Sequence, residues 1–295
     1  MPKNHSPQKL PERRSAPVSR TEDELTTGGT VWGNYKGYQG AARHFPGSKP
    51  SSHVQDRRLT VLESLVPGLF RGKKCLDIGC NDGAIPIQLA IDFEADSVTG
   101  VDIDPDLIKV AEIQFKQRAS RVRPATEDSP RIVDYYPISV IQEHGYRDRS
   151  SLENSSLAPN PQILSVASHS PRVRFISADW LKSSGPDTSG PYYVILAMSI
   201  VKWIHLEHRD EGLLEFFKKC SASLEQGGYL VLEIQPWKSY EKAVQPRKAP
   251  HFKENLNGLK YRPETSFSEL LSLQGLKLCA TSEALPRQIN VYRKE

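Results

Sequence analysis

Leu76-Asp77-Ile78-Gly79-Cys80-Asn81-Asp82-Gly83 is the stretch that decides the fold. The apolar start at 74–78 reads as a short buried strand. Glycines at 79 and 83 turn it towards a helix and let backbone approach a ligand closely. Outward from this loop, a helix is expected over 83–93 and a second strand over 97–102, closing in Val101-Asp102-Ile103-Asp104. An acidic residue at the end of a second strand can hold a ribose diol. The loop spacing is D-x-G-x-N-x-G, not the G-x-G-x-x-G of dinucleotide sites. Asp77, two positions before the first glycine, suits a cofactor with a cationic amino-acid end. S-adenosylmethionine therefore fits better than NAD, because it brings no pyrophosphate to a helix N-terminus. Gly79 and Gly83 alone could serve only a tight turn; Asp102 at its expected place favours a ligand.

Further along, Pro105 stands where the first turn of the next helix belongs, and that helix runs to about residue 118. The stretch 119–171 is rich in Ser, Pro, Asn, Arg and Glu. It reads as a low-complexity insertion, with one apolar and aromatic piece, 132–141, packing on the domain. Strands are then expected at 172–176, 192–199, 229–233, 277–280 and 289–292, with an amphipathic helix at 211–224. Strands alternating with helices imply an α/β domain with a mostly parallel sheet. Upstream, 56–65 has the helical spacing of Leu59, Leu62 and Leu65. Residues 1–30, rich in Pro, Ser, Lys, Arg and Thr, read as a disordered tail, leaving 31–295 as the domain.

Composition narrows the class. Hydrophobic residues make up 38% of the 295 and the mean hydropathy is -0.50, low for a wholly ordered chain. The net charge of +4 permits a polyanionic partner without demanding one. Cys75, Cys80, Cys220 and Cys279 form no C-x-x-C pair, so neither a metal site nor a disulfide framework is expected, and a reducing, intracellular compartment is. No apolar run approaches membrane-spanning length.

Ligands of open α/β sheets bind beyond the carboxyl ends of the strands. Those ends gather Asp77, Gly79, Cys80, Asn81, Asp102, Ile103, Asp179, Trp180 and Met198. Asp77 is expected near the methionine amino group, Asp102 at the ribose, and Asp179 at the adenine amino group beside the flat face of Trp180. Arg58 can pair with the methionine carboxylate, or be an exposed surface cation. After the fourth strand, Lys202 offers a charge for an anion and Trp203 and His205 offer stacking and hydrogen bonding; the alternative is a core tryptophan beside surface Lys and His. After the fifth, Gln235-Pro236-Trp237 reads as a pocket wall or an ordinary turn. Gly33-Asn34-Tyr35-Lys36-Gly37-Tyr38 with Arg43 interleaves aromatics and cations, as a lid over a phosphate-bearing ligand would.

Together these stretches resemble one family, the methylphosphate capping enzymes, or bicoid-interacting-type RNA methyltransferases. The matching text is Gly33-Asn34-Tyr35, Asp56-x-Arg58-Leu59, LDIGCNDG, Val101-Asp102-Ile103-Asp104, Ser199-x-x-Lys202-Trp203-x-His205-Leu206, Asp210-Glu211-Gly212, and Leu232-Glu233-x-Gln235-Pro236-Trp237-x-Ser239-Tyr240. The LDIGC turn is generic; the KWxHL and QPWxSY stretches are specific. The chain departs from the family at Tyr38-Gln39, at the spacing of Arg43, and at Ala178-Asp179-Trp180. The resemblance implies a Rossmann-like class I S-adenosylmethionine-dependent methyltransferase with a mostly parallel seven-stranded sheet. It implies transfer to the 5′-terminal γ-phosphate of a small non-coding RNA, in the nucleus and secondarily the cytoplasm, by a monomer accompanied by RNA-associated proteins. Tyr38 and Lys202 would then act at the reacting phosphate. Tyr35 and Arg58 would join the cofactor set, and Arg43, Trp203, His205, Gln235 and Trp237 the acceptor set. A 5′-monophosphate RNA, a non-RNA acceptor, and a non-catalytic RNA 5′-end scaffold remain as alternatives.

Overall fold

The computed structural model describes residue 32 and residues 55–123, 125, 128–147, 171–283 and 285–295. The expectations for the tail and for Tyr35, Tyr38 and Arg43 lie outside the described residues. Seven strands form one sheet: β1 (Lys74–Ile78), β2 (Ser97–Asp102), β3 (Val173–Ser177), β4 (Tyr192–Met198), β5 (Leu224–Glu233), β6 (Leu276–Thr281) and β7 (Ile289–Lys294). Their order is β3-β2-β1-β4-β5-β7-β6, and β7 runs antiparallel to both its neighbours. The chain starts in the middle, moves outward to β3, then returns to β4 beside β1, pairing Asp77 with Leu196. That reversal opens a crevice at the carboxyl ends of β1 and β4.

Nine helices are described: α1 (Arg57–Leu65), α2 (Ala84–Ile91), α3 (Pro105–Ala119), α4 (Ile138–His144), α5 (Pro186–Ser189), α6 (Val201–Ser223), α7 (Trp237–Ala243), α8 (Lys253–Gly258) and α9 (Phe267–Ser272). Alternate residues of the central strands face opposite layers, the period-2 rule of a strand. Leu76, Ile195, Ala197, Leu230 and Leu232 pack with Phe216 and Phe217 of α6 and Phe267 of α9. Cys75, Val194, Leu196 and Val231 pack with Leu59 and Leu62 of α1 and Leu89 of α2 on the other face. Full burial of each large apolar side chain contributes roughly 1.5–3 kcal/mol, and both faces of the central strands are covered.

The α3 start is fixed locally. Asp104 caps it by accepting from the Asp106 N–H, and Pro105 follows. Part of the expected insertion is laid on the domain. Arg123 and Ile132 bridge, Val122 and Val133 pack with Ile87 and Ile91 of α2, and Ile141 of α4 is buried. Arg118 clamps Asp92 with two hydrogen bonds of 2.8 and 3.1 Å. The helix expected over 211–224 instead begins at Val201 and bends at Arg209, whose φ of 58° and ψ of -162° are non-helical.

Candidate active site

Gly79 has φ +77°, and a Cβ there would lie 2.9 Å from the Ile200 side chain. Its N–H and that of Cys80 both donate to the Val101 carbonyl, hanging the loop on the end of β2. Asp102 stands beside it, 6% exposed. One carboxylate oxygen accepts from the Asn81 N–H at 2.9 Å and the other from the Asp104 N–H at 3.0 Å. Burial raises the Asp102 pKa against the opposing pull of these N–H donors. Each oxygen keeps a second lone pair for a ligand hydroxyl.

Two cavities meet at this point, sharing Gly79, Asp102, Ile200 and Trp203. The first is a slot lined by Ile103, Ala178, Leu181 and Phe252, together with Asp179 and the buried Trp180. Asp179 accepts from the Leu181 N–H and faces His208 at 3.2 Å. Its burial opposes ionisation, but His208 and Lys182 outweigh it and hold the carboxyl below its ordinary value. A largely apolar slot with the Asp179 carboxylate in its lining suits a flat heterocycle bearing an amino group.

The second cavity, about 400 Å³, carries a different chemistry. Lys202, Lys242, Lys248 and Arg287 all line it, with Ser199, Gln235 and Ser239 between them. Lys202 is 6% exposed, and its Nζ donates to the Ser239 hydroxyl at 3.1 Å. Burial first, then Arg287 and Lys248, lower its pKa to about 8. A buried ammonium beside other cations, with no carboxylate bonded to it among the described residues, is arranged for an incoming anion.

Ser199 ties the pocket together. Its φ of 65° lies in the left-handed region that favours glycine. The strain is held by three contacts: its hydroxyl donates to Glu233 and accepts from Arg287 Nη1 at 3.1 Å, and its carbonyl accepts from Gln235 Nε2 at 2.9 Å. Gln235 Oε1 stays buried with no partner among the described residues. Arg287 reaches the pocket from the turn just before β7.

Of the residues expected from sequence, Gly79, Asn81, Asp102, Met198, Lys202, Trp203 and Gln235 line the cationic cavity, and Ile103, Asp179 and Trp180 the slot. Others are placed differently. Arg58 is not exposed; it donates to Asp56 and Glu233 inside the domain. Asp77 is 2% exposed and lines neither cavity; burial, partly offset by Arg58, pushes its pKa to about 7. Cys80 turns its sulfur towards the space beside Gly100. His205 is fully buried, bonded to Asp210 at 2.9 Å, and lines neither cavity. Two positions past Trp203 on a helix is about 200° round, so a tryptophan at the cleft turns the histidine inward. Trp237 stacks on Tyr240 under the Arg262 guanidinium, away from both cavities. Sequence reading quoted Ser199 and Ser239 in their motifs without giving them a role, and missed Lys242, Lys248 and Arg287. The basic pair Arg247-Lys248 was a visible signal; the single Arg287 carried none.

The sheet order with its one reversed strand, the glycine loop after β1 and the carboxylate ending β2 define a class I S-adenosylmethionine-dependent methyltransferase fold. The family model described as Bicoid-interacting protein 3 (Bin3) matches residues 192–294. A probable RNA methyltransferase of Arabidopsis thaliana is 31% identical over 279 residues, covering 89% of this chain and 80% of that protein. The chain belongs to the Bin3 family. The U6 snRNA methylphosphate capping enzyme of Drosophila melanogaster is 30% identical over 82% of this chain. The human 7SK snRNA methylphosphate capping enzyme is 32% identical over 72%. This chain spans 64% and 31% of those two proteins' lengths.

Proposed function

We propose that this protein uses S-adenosylmethionine to methylate the 5′-terminal phosphate of a small non-coding RNA. The observation that carries the reading is the four-cation cavity sharing a wall with the Asp102 slot. Asp102 would take the ribose hydroxyls, Asp179 the adenine amino group, and Gly79 would let the donor lie close to the loop. The residues fit such a cofactor: Asp102 and Asp179 line a largely apolar slot, and the orphaned Gln235 Oε1 belongs to a residue lining the adjoining cationic cavity. S-adenosylmethionine would supply a methyl carbon that an oxygen nucleophile can attack, the neutral thioether leaving with the bonding electrons.

The acceptor side needs little else. A phosphate oxygen is already anionic, so no strong general base is required. Lys202, Lys248 and Arg287 hold the phosphate, while Ser199 and Glu233 fix Arg287 in place. Positioning and charge complementarity then supply the rate. Relatives named for U6 and 7SK small nuclear RNAs support a nuclear setting, and we take the enzyme to act as a monomer.

A second reading, a 5′-monophosphate acceptor, is favoured by 43% identity over 51 residues to the rat RNA 5′-monophosphate methyltransferase. Incubation with methyl-labelled S-adenosylmethionine and short RNAs bearing triphosphate, monophosphate or hydroxyl 5′ ends tests both. Label on the triphosphate RNA supports the first reading and label confined to monophosphate the second. Label on hydroxyl ends, or cofactor binding with no transfer to any end, would overturn both.

A further inference from the structure

A third cavity, about 720 Å³, extends the site away from the cofactor slot. It shares Ser239, Lys242 and Arg287 with the cationic cavity and none of its lining with the slot. The three chambers therefore run in a line, with the cationic one in the middle. The outer groove lies between the start of α7, α9 and the β6–β7 hairpin. Its walls alternate two kinds of surface. Pro236, Pro286 and Leu278 give flat apolar contact, and Leu278 is half exposed there. Gln288 and Asn290 present amides, and Lys238 adds a third cation to Lys242 and Arg287. Glu264 is the carboxylate of this lining, and it already accepts from the Trp237 N–H at 2.7 Å.

We infer that this groove holds the nucleotides that follow the 5′-terminal one, as a single strand leaving the reaction pocket. The inference rests on the proposed function, because it takes the middle chamber as the seat of the terminal phosphate. A strand whose 5′ phosphate lies among Lys202, Lys248 and Arg287, with the donor filling one side, has the opposite chamber open to it. Cations shared across the boundary continue the track for the next phosphates, the apolar walls accept base faces, and the exposed Gln288 amide meets base edges. A groove of net positive charge with an exposed amide fits a polyanion carrying hydrogen-bonding edges better than an apolar peptide.

A length series tests it: 5′-triphosphorylated guanosine as mononucleotide, dinucleotide and tetranucleotide. For the wild-type protein, kcat/KM should rise about tenfold or more from mononucleotide to tetranucleotide. In Lys238→Glu combined with Gln288→Ala, that ratio should fall towards one. Both positions are exposed, so the fold should be unaffected. Lys238→Glu should also reduce the salt dependence of tetranucleotide binding, by about 0.7 in the logarithmic slope. An unchanged length ratio in the double variant would overturn the groove while leaving the proposed function standing. If no acceptor were methylated, the function would fail instead, and anisotropy of a labelled tetranucleotide would still judge the groove. Equal competition by an acidic peptide of matching charge would mark it as a protein-binding surface.

Discussion

Arg58 Nη1 and Glu233 Oε2 lie 2.8 Å apart, joining the first turn of α1 to the last residue of β5 across the buried edge of the crevice. Both side chains are almost wholly enclosed. Glu233 also accepts from Ser199, which in turn accepts from Arg287. One carboxylate thus joins α1 to the Ser199–Arg287 corner of the cationic cavity.

Glu233→Ala should therefore do two things. Arg58 would keep its ion pair with Asp56 but lose a buried charge-assisted hydrogen bond worth about 1.5–3 kcal/mol, so thermal unfolding should shift down by several degrees. Arg287 should also lose its fixed position, raising KM for RNA. Glu233→Gln, which keeps the shape and an acceptor, should recover part of both. A melting curve and KM identical to wild type for Glu233→Ala would remove the pair from any positioning role.

Asp77 should make the stability of the ligand-free protein pH-dependent. Its folded pKa, about 7, is raised above the ordinary 3.8, chiefly by burial. Between those values the folded state holds the proton more tightly than the unfolded one. The stabilisation is complete below the lower value and is lost as pH rises through about 7. Asp77→Asn should flatten that decline, so that the variant melts higher than wild type above neutrality yet binds S-adenosylmethionine more weakly. Parallel melting curves at all pH values would show that the carboxyl carries no such burden.

Asp102→Ala should weaken cofactor binding by about 1.5–3 kcal/mol, roughly ten- to a hundred-fold. The Asn81 and Asp104 N–H groups would lose their acceptor as well, which adds loop disorder to the lost ligand contact. Calorimetric titration giving unchanged affinity would exclude Asp102 from the cofactor site.

Lys202 should set an alkaline limit on acceptor binding. With its pKa lowered to about 8 by burial and by Arg287 and Lys248, it loses charge as pH rises through that value. KM for 5′-phosphorylated RNA should climb over the same range, while cofactor affinity stays level. Lys202→Arg keeps its charge throughout, so its KM should be flat with pH even if higher overall. Should both proteins share one profile, another group controls the alkaline limb.

The central strands were legible because burial on both faces leaves a short apolar run between clear turns. β1 and β2 fall at 74–78 and 97–102, as read. The glycine loop and Asp102 were legible for the same reason, being local. The first half of α6 was not. Ile200 offers no side-chain cap, and Arg209 interrupts the helical backbone between the site residues and the core half. The face taken by His205 follows only once that helix is known. The cationic wall was legible least of all. Lys202, Lys242, Lys248 and Arg287 come from separate elements, and no spacing rule connects them before the sheet order does.

β7 enters the sheet against the direction of its neighbours, so it begins at the edge where β4 and β5 end. Its leading turn, with Arg287, therefore sits among residues made much earlier. During synthesis the β1–β2–β3 half, with Asp102, emerges first, and β5 must wait for β7 to slot between it and β6. A nascent chain could thus complete its adenosine slot, whose last wall is Phe252, before Arg287 completes the phosphate pocket. On the ribosome, the protein would be a cofactor binder first and an RNA enzyme only after the final hairpin docks.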